Sequence, residues 1–173
     1  EKNVSIIKHP IYFPFFYHSH LFFEIVYVLS GTCIQNIEER TLQLQAGDYC
    51  MIAPGVRHGI QVFDDNSLVV NILIWRSTFM DIFFNTIRNK SQIAMFFLGS
   101  LYKKSRIEYL IFRTAQDEVI RNYVLEMYME QICQDDFSDR IMCSILTIFF
   151  NQLTRRHGKT VEIKNQDKLH YPY

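Results

Sequence analysis

His18, His20 and Glu24 stand at even positions on either side of the entry to Leu21–Leu29 (LFFEIVYVL), a run of apolar, aromatic and β-branched residues. Such a run is best built as a strand, and strand side chains alternate between two faces. All three polar groups therefore leave the chain on one side. A strand otherwise apolar on both faces, aiming two imidazoles and a carboxylate one way, describes a pocket wall, so other strands must close over that face. The strand ends at Ser30-Gly31. A second cluster, Gly47-Asp48-Tyr49-Cys50-Met51-Ile52-Ala53-Pro54-Gly55-Val56-Arg57-His58, adds a third imidazole. Three imidazoles and a carboxylate are ligand types that suit Zn, Fe, Ni, Cu or Mn.

Short turn-bounded segments continue to Trp75. Thr32–Ile37 and Thr41–Leu44 read as a pair of strands around Glu38-Glu39-Arg40. Tyr49–Ile52, His58–Phe63 and Leu68–Trp75 read as three more. Many short strands at such spacing predict a sandwich or small barrel. Beyond Arg76 the apolar period shifts towards 3.6 and predicts a helix over 77–89, with helix continuing over 96–103. Tyr109–Phe112 is one late strand. Thr114-Ala115-Gln116-Asp117 then opens a helix that ends near Gln134. A second helix from Ser138, or from Asp136 as its cap, stops at Gly158. The short gap between these two makes them an antiparallel hairpin. The tail 159–173 has no periodicity and reads as a linker or loose end.

At 173 residues, 49 % of them hydrophobic, the chain holds one domain with a substantial core, or one with a helical appendage. Lys plus Arg and Asp plus Glu number 18 each, which argues against a domain whose own surface grips a phosphate backbone. No apolar run is long enough to span a membrane, and EKNVSIIKHP is no signal peptide. Cys33, Cys50, Cys133 and Cys143 lack CxxC spacing and lie among apolar residues. Reduced, buried thiols in a cytoplasmic protein are the expectation.

His18-x-His20-x3-Glu24-x6-Gly31 resembles the first motif of the cupin superfamily, and Gly47-Asp48-x3-Ile52-x2-Gly55-x2-His58 resembles the second. Proline stands one place late, at Pro54, and Val62 occupies the position of an expected asparagine. A barrel followed by a helix hairpin is similar to the N-terminal sensor domain of AraC-type transcription regulators, where a displaced proline is common. The resemblance implies an α+β, mostly β fold: a cupin (double-stranded β-helix, or jelly-roll) barrel over 1–113 with a helical insert near 77–103. A hairpin for dimerisation follows over 114–157, and 158–173 lead towards a DNA-binding helix-turn-helix domain absent from this chain. It also implies a homodimer that contacts DNA only through that domain.

Three uses of the cluster remain open. His18, His20, Glu24 and His58 hold one divalent Zn, Fe, Mn or Ni ion, or they bind a small effector such as a sugar or small acid without metal, or they satisfy one another and nothing binds. Trp75 and Asn71 share a strand face and are candidates to line the same pocket, as are Tyr49 and Met51; Trp75 and Tyr49 join the four as expected ligand contacts. Parity does not say which face is inward. The aromatic run 11–17 is either an arm over the pocket or an edge strand packed on the barrel. The last helix is apolar nearly all round at its centre, and Ile141, Ile145, Phe149 and Leu153 are expected to meet a second copy. The expected function is effector sensing by a non-enzymatic regulator domain. The alternative is a metal-dependent cupin enzyme of dioxygenase, isomerase or decarboxylase type.

Overall fold

The computed structural model describes residues 3–12, 15–86, 94, 96, 99 and 107–165. The chain builds β1 (Val4–Lys8), β2 (Phe23–Ser30), β3 (Thr32–Ile37), β4 (Arg40–Gln45), β5 (Asp48–Ile52), β6 (His58–Gln61) and β7 (Leu68–Ile74). Then follow α1 (Arg76–Thr86), β8 (Ile107–Arg113), α2 (Glu118–Cys133), α3 (Ser138–His157) and β9 (Glu162–Asn165). The strands form a six-stranded antiparallel sheet, β1-β7-β2-β5-β8-β9, and a three-stranded sheet, β4-β3-β6. This is the expected mostly β, cupin-like sandwich with a C-terminal helix pair.

β2 decides the layering. Every residue from Phe23 to Leu29 is buried, so the strand is covered on both faces. Phe23, Ile25 and Tyr27 stand opposite Ile74, Ile72 and Val70 of β7, and Tyr27 also opposite Tyr49 of β5. These residues face the helices: the Phe23 ring lies 4.5 Å from Phe79 of α1, and Tyr49 lies 5.4 Å from Phe149 of α3. Glu24 and Val26, with Leu73, Asn71, Ile52 and Cys50 opposite them, face the smaller sheet. Each large apolar side chain withdrawn from water in the helix-facing layer contributes about 1.5–3 kcal/mol.

The Gly47-Asp48 turn joins the sandwich to the hairpin. Gly47 has φ +91°, and a Cβ there would lie 2.0 Å from the Ala115 carbonyl oxygen, so only glycine fits. Its own carbonyl accepts from the Thr114 backbone N–H and hydroxyl. Asp48 is buried and accepts from Gln45 N at 2.9 Å and Arg113 Nη1 at 2.6 Å.

Two segments differ from the sequence reading. β1 forms where the sequence reading placed no element, because only Val4 and Ile6 of this edge strand are buried, both on the helix side of the sheet. In the tail, Glu162–Asn165 pair with β8, and Glu162 meets Arg113 at 2.8 Å. The insert is helical over α1 and at Ala94, Phe96 and Gly99; the rest of 87–106 lies outside the described residues. Cys133 is exposed rather than buried. Among the described residues no helix is long and apolar enough to cross a membrane.

Asp117, the last residue of the stretch read as opening the helix, caps α2. It accepts from Val119 N and Ile120 N, and it also binds Arg156 Nε and His157 Nε2, each at 2.7 Å, at the far end of α3. Burial works to raise its pKa, but the hydrogen bonds from Arg156 and His157 outweigh burial and hold it at about 2, below the ordinary 3.8. A depressed carboxylate stabilises the fold fully above its unfolded pKa and loses that contribution as pH falls through the folded value. The hairpin end is therefore expected to loosen between about pH 4 and 2. Amide exchange of α2 and α3 followed over that range measures it, and Asp117→Asn should remove this acid dependence.

The broad apolar stripe of α3 is spent inside the chain. Met142, Ile145, Leu146, Phe149, Phe150 and Leu153 are all buried, because α3 is wedged between the sheet and α2. Ile145, Phe149 and Leu153, read as dimer contacts, are thus not on the surface of the protomer. Of that set only Ile141 is exposed, and Ile148 joins it.

Candidate functional site

Two backbone straps bring the motifs together. His18 and His58 exchange N–H···O bonds of 3.0 and 2.9 Å, and Gly55 N donates to the His20 carbonyl at 2.7 Å. The chain before β2 therefore runs along β6, the edge of the smaller sheet. Tyr12 N donates to Val62 O, and the Phe15 ring lies over Gly59, where a Cβ would come within 2.3 Å of it. The described part of the aromatic run is thus an edge segment laid on the barrel; Phe13 and Pro14 lie outside the described residues. Arg57 sits on the rim, its guanidinium 5.2 Å from the Tyr17 ring centroid.

Glu24 reaches across from β2 to His58 at the start of β6. Its Oε2 lies 2.8 Å from His58 Nε2 and 3.3 Å from His20 Nε2. The His18 ring is 4.5 Å from both other imidazoles. One ligand atom from each of the four residues lies within 4.8 Å of all the others. Glu24 and His58 are buried, whereas His18 and His20 are half-buried, so the cluster has a closed floor and an open mouth.

Charge on the floor is strongly organised. Burial disfavours the Glu24 carboxylate, but hydrogen bonds from His20 and His58 prevail and hold its pKa at about 2. Burial is the largest single influence on His58 and works against its charged form, yet the hydrogen bond and charge of Glu24, with the Val56 carbonyl and the Glu38 charge, together outweigh it and the pKa is raised. His18 is lowered, first by burial and then by the nearby His58 charge. His58 Nδ1 donates to Val56 O at 2.8 Å. A carbonyl only accepts, so Nδ1 carries a proton and Nε2 is the nitrogen left for Glu24. A neutral imidazole would set a lone pair against a carboxylate at 2.8 Å. A proton held between His58 Nε2 and Glu24, or a metal ion, resolves that contact. The donor set fits a divalent ion: three imidazoles and a carboxylate, with one ligand nitrogen already oriented through its far ring N–H.

Of the other expected contacts, Trp75 and Asn71 fall on the barrel side. Asn71 pairs with Val26, on the face that carries Glu24, and among the described residues its buried Oδ1 has no hydrogen-bond partner. Trp75 stands at the rim, 5.1 Å from Phe22, which stacks on His20 at 4.3 Å. Tyr49 does not reach the pocket. It lies on the helix side, stacked on Tyr27 at 4.0 Å and fully buried, and Met51 shares that side. His9 was missed. It continues β1 in phase with Ser5 and Ile7, whose partners Leu73 and Asn71 face the barrel. Burial lowers its pKa, while the Glu24 charge raises it and His18 lowers it. The parity signal existed but depended on recognising β1. A second group, Glu130, Cys133 and Asp135, needs no ligand to explain it, since Asp135 accepts from the backbone N–H of Phe137 and Ser138 at the start of α3.

The AraC-like ligand-binding domain family matches residues 5–131. No curated protein matches the chain. Among solved structures, an apo variant of ToxT from Vibrio cholerae strain SCE256 superposes with TM-score 0.61 at 12 % identity, over 90 % of this chain and 57 % of that one. The unsaturated fatty acid bound wild-type ToxT gives 0.52 at 12 %, over 91 % and 57 %. ToxT bound to (E)-4-(8-methylnaphthalen-1-yl)but-3-enoic acid gives 0.52 at 11 %, over 90 % and 57 %. This chain thus spans just over half the length of these ToxT chains, and at such identities the likeness speaks for the fold.

Proposed function

The chain belongs to the AraC-like ligand-binding domain family, and on that premise we propose that it is the effector-sensing and dimerisation part of a transcription regulator. The observation that carries this reading is the Glu24 carboxylate, buried yet shared between enclosed His58 and half-open His20. In this proposal a sugar or small acid enters at the mouth, takes hydrogen bonds from His18 and His20, and lies against Trp75 and Phe22. Asn71 Oδ1 offers it a buried acceptor. Occupation alters how the segment before β2 lies along β6, and with it the setting of the hairpin. DNA is contacted by a helix-turn-helix domain outside residues 1–173, and the cytoplasm is where such a regulator works. A second copy docks on the outer side of α3, where Ile141 and Ile148 are 40 % and 47 % exposed.

The four-ligand geometry favours a metal-assisted form of the same site. A divalent Zn, Fe, Mn or Ni ion held by His18, His20, Glu24 and His58 supplies open coordination positions to a ligand oxygen. Those residues would equally serve a metal-dependent cupin enzyme; family membership and the long hairpin support the regulator.

Thermal melting against a panel of sugars and small acids tests the proposal. A true effector at about 100 times its Kd should raise Tm by roughly 5–10 °C, and His20→Ala should abolish the shift. An unchanged shift in that variant would reject the site. Elemental analysis before and after chelation separates the forms: about one equivalent of metal, lost in His20→Ala, indicates the metal-assisted one.

A further inference from the structure

The face of the large sheet turned away from the histidine cluster carries a polar residue where an apolar one belongs. Along β1, Val4 and Ile6 point to the helices and are buried, and Lys8 continues their phase, directly opposite Val70 of β7. An ammonium group thus sits on the edge of the layer that the hairpin covers. Departures from an apolar pattern concentrate at functional sites. Beside Lys8, α2 does not close fully onto the sheet. A cavity of about 290 Å³ remains there, lined by Lys8, Leu29, Leu68, Val70, Val124, Leu125 and Tyr128. Val70 and Val124 are buried in its floor, and Leu125 stands 38 % exposed at its rim. Among the described residues no carboxylate pairs with Lys8, and no hydrogen-bond partner meets the Tyr128 hydroxyl.

We propose that this cavity between β1, β7 and α2 is a second ligand site, for a single-chain monocarboxylate whose alkyl tail fills the apolar floor and whose head meets Lys8. The chemistry follows from the lining. An apolar cavity of this volume equals about ten water molecules at ~30 Å³ each, room for a medium-length alkyl chain. A lysine lays its aliphatic stem along an apolar wall and keeps its charge at the mouth, which selects an anionic head over a neutral or cationic one. The Tyr128 hydroxyl adds a donor from the opposite wall. This site lies across the sheet from Glu24 and shares no residue with the cluster, so it stands or falls apart from the barrel effector. An occupant would touch both the sheet and α2, and would therefore bias how the hairpin seats.

Calorimetric titration of the whole 173-residue chain with hexanoate, octanoate and decanoate tests this, with carbon-13 methyl shifts of Leu29, Val70, Val124 and Leu125 reporting the location. Saturable one-to-one binding is expected, tightening about fourfold per added methylene until the tail outgrows the cavity. Lys8→Gln should weaken octanoate about tenfold, octanol should bind as weakly, and Leu125→Trp should block the cavity. His18→Ala should leave octanoate binding unchanged. Both substituted cavity positions are exposed, so melting of each variant should match the parent and confirm folding. The proposal is overturned if octanoate fails to saturate, if Lys8→Gln and Leu125→Trp bind it like the parent, or if His18→Ala abolishes it; the last result would put the carboxylate in the barrel.

Discussion

Glu24→Ala is expected to lower the stability of the fold by about 3–5 kcal/mol and to abolish the response to the barrel effector. Glu24 is 4 % exposed and His58 2 %, so neither turns to water when the other is lost. His58 Nδ1 stays committed to Val56 O, leaving a buried imidazole with no counter-charge at Nε2. Breaking a buried pair from one side costs far more than the pair contributes net, because the remaining group keeps its desolvation penalty. The cost also reaches beyond the pair: Glu24 belongs to β2 of the large sheet and His58 to β6 of the small one, so this contact ties the layers at the floor of the site. Urea unfolding with an unchanged m-value measures the loss. Glu24→Gln keeps the shape and an acceptor, and should fall between parent and alanine. A loss under about 1 kcal/mol, the range of exposed ion pairs, would mean that the floor is wet and that the cluster is not the closed, charged site described above.

Phe149→Ala should cost about as much, 3–5 kcal/mol, for a different reason. Its ring is fully buried and lies 5.4 Å from both Tyr49 and Phe150, at the junction of β5 and α3. Removing it opens a cavity that rigid sheet and helix backbones cannot collapse to fill. The loss should not depend on protein concentration, because these contacts lie within one chain. Ile141→Glu gives the contrasting result: nearly parental stability of the monomer, and a weakened dimer if a second copy docks on the outer side of α3. Sedimentation at several concentrations distinguishes the two. A Phe149→Ala defect that appears only as dimers dissociate would restore that residue to the interface.

Much of the site was legible before any fold was known. Even spacing placed His18, His20 and Glu24 on one side of a strand, and the Gly55-x2-His58 spacing supplied the fourth member; all four do converge. Trp75 and Tyr49 mark where parity stops. Period-2 alternation sorts the residues of one strand into two sets but carries no sign, and a register shift of one residue exchanges the sets. Pairing of Tyr27 with Tyr49, and of Val26 with Asn71, sends Tyr49 to the helices and Asn71, with Trp75 in its phase, to the barrel. His9 was hidden because β1 is a short edge strand with only two inward apolar residues. The α3 stripe misled for a related reason: periodicity shows how much of a helix is apolar, not what covers it.

The order of elements, the switch from period 2 to period 3.6 near Trp75 and the common face of His18, His20 and Glu24 were determined by the sequence alone, because each depends on neighbours a few residues apart. Which face of each strand is the barrel, that α3 is covered by its own sheet, and that Lys8 borders a cavity were decided only by tertiary structure. Those outcomes depend on the pairing of segments far apart in the chain, and local patterns carry no record of it.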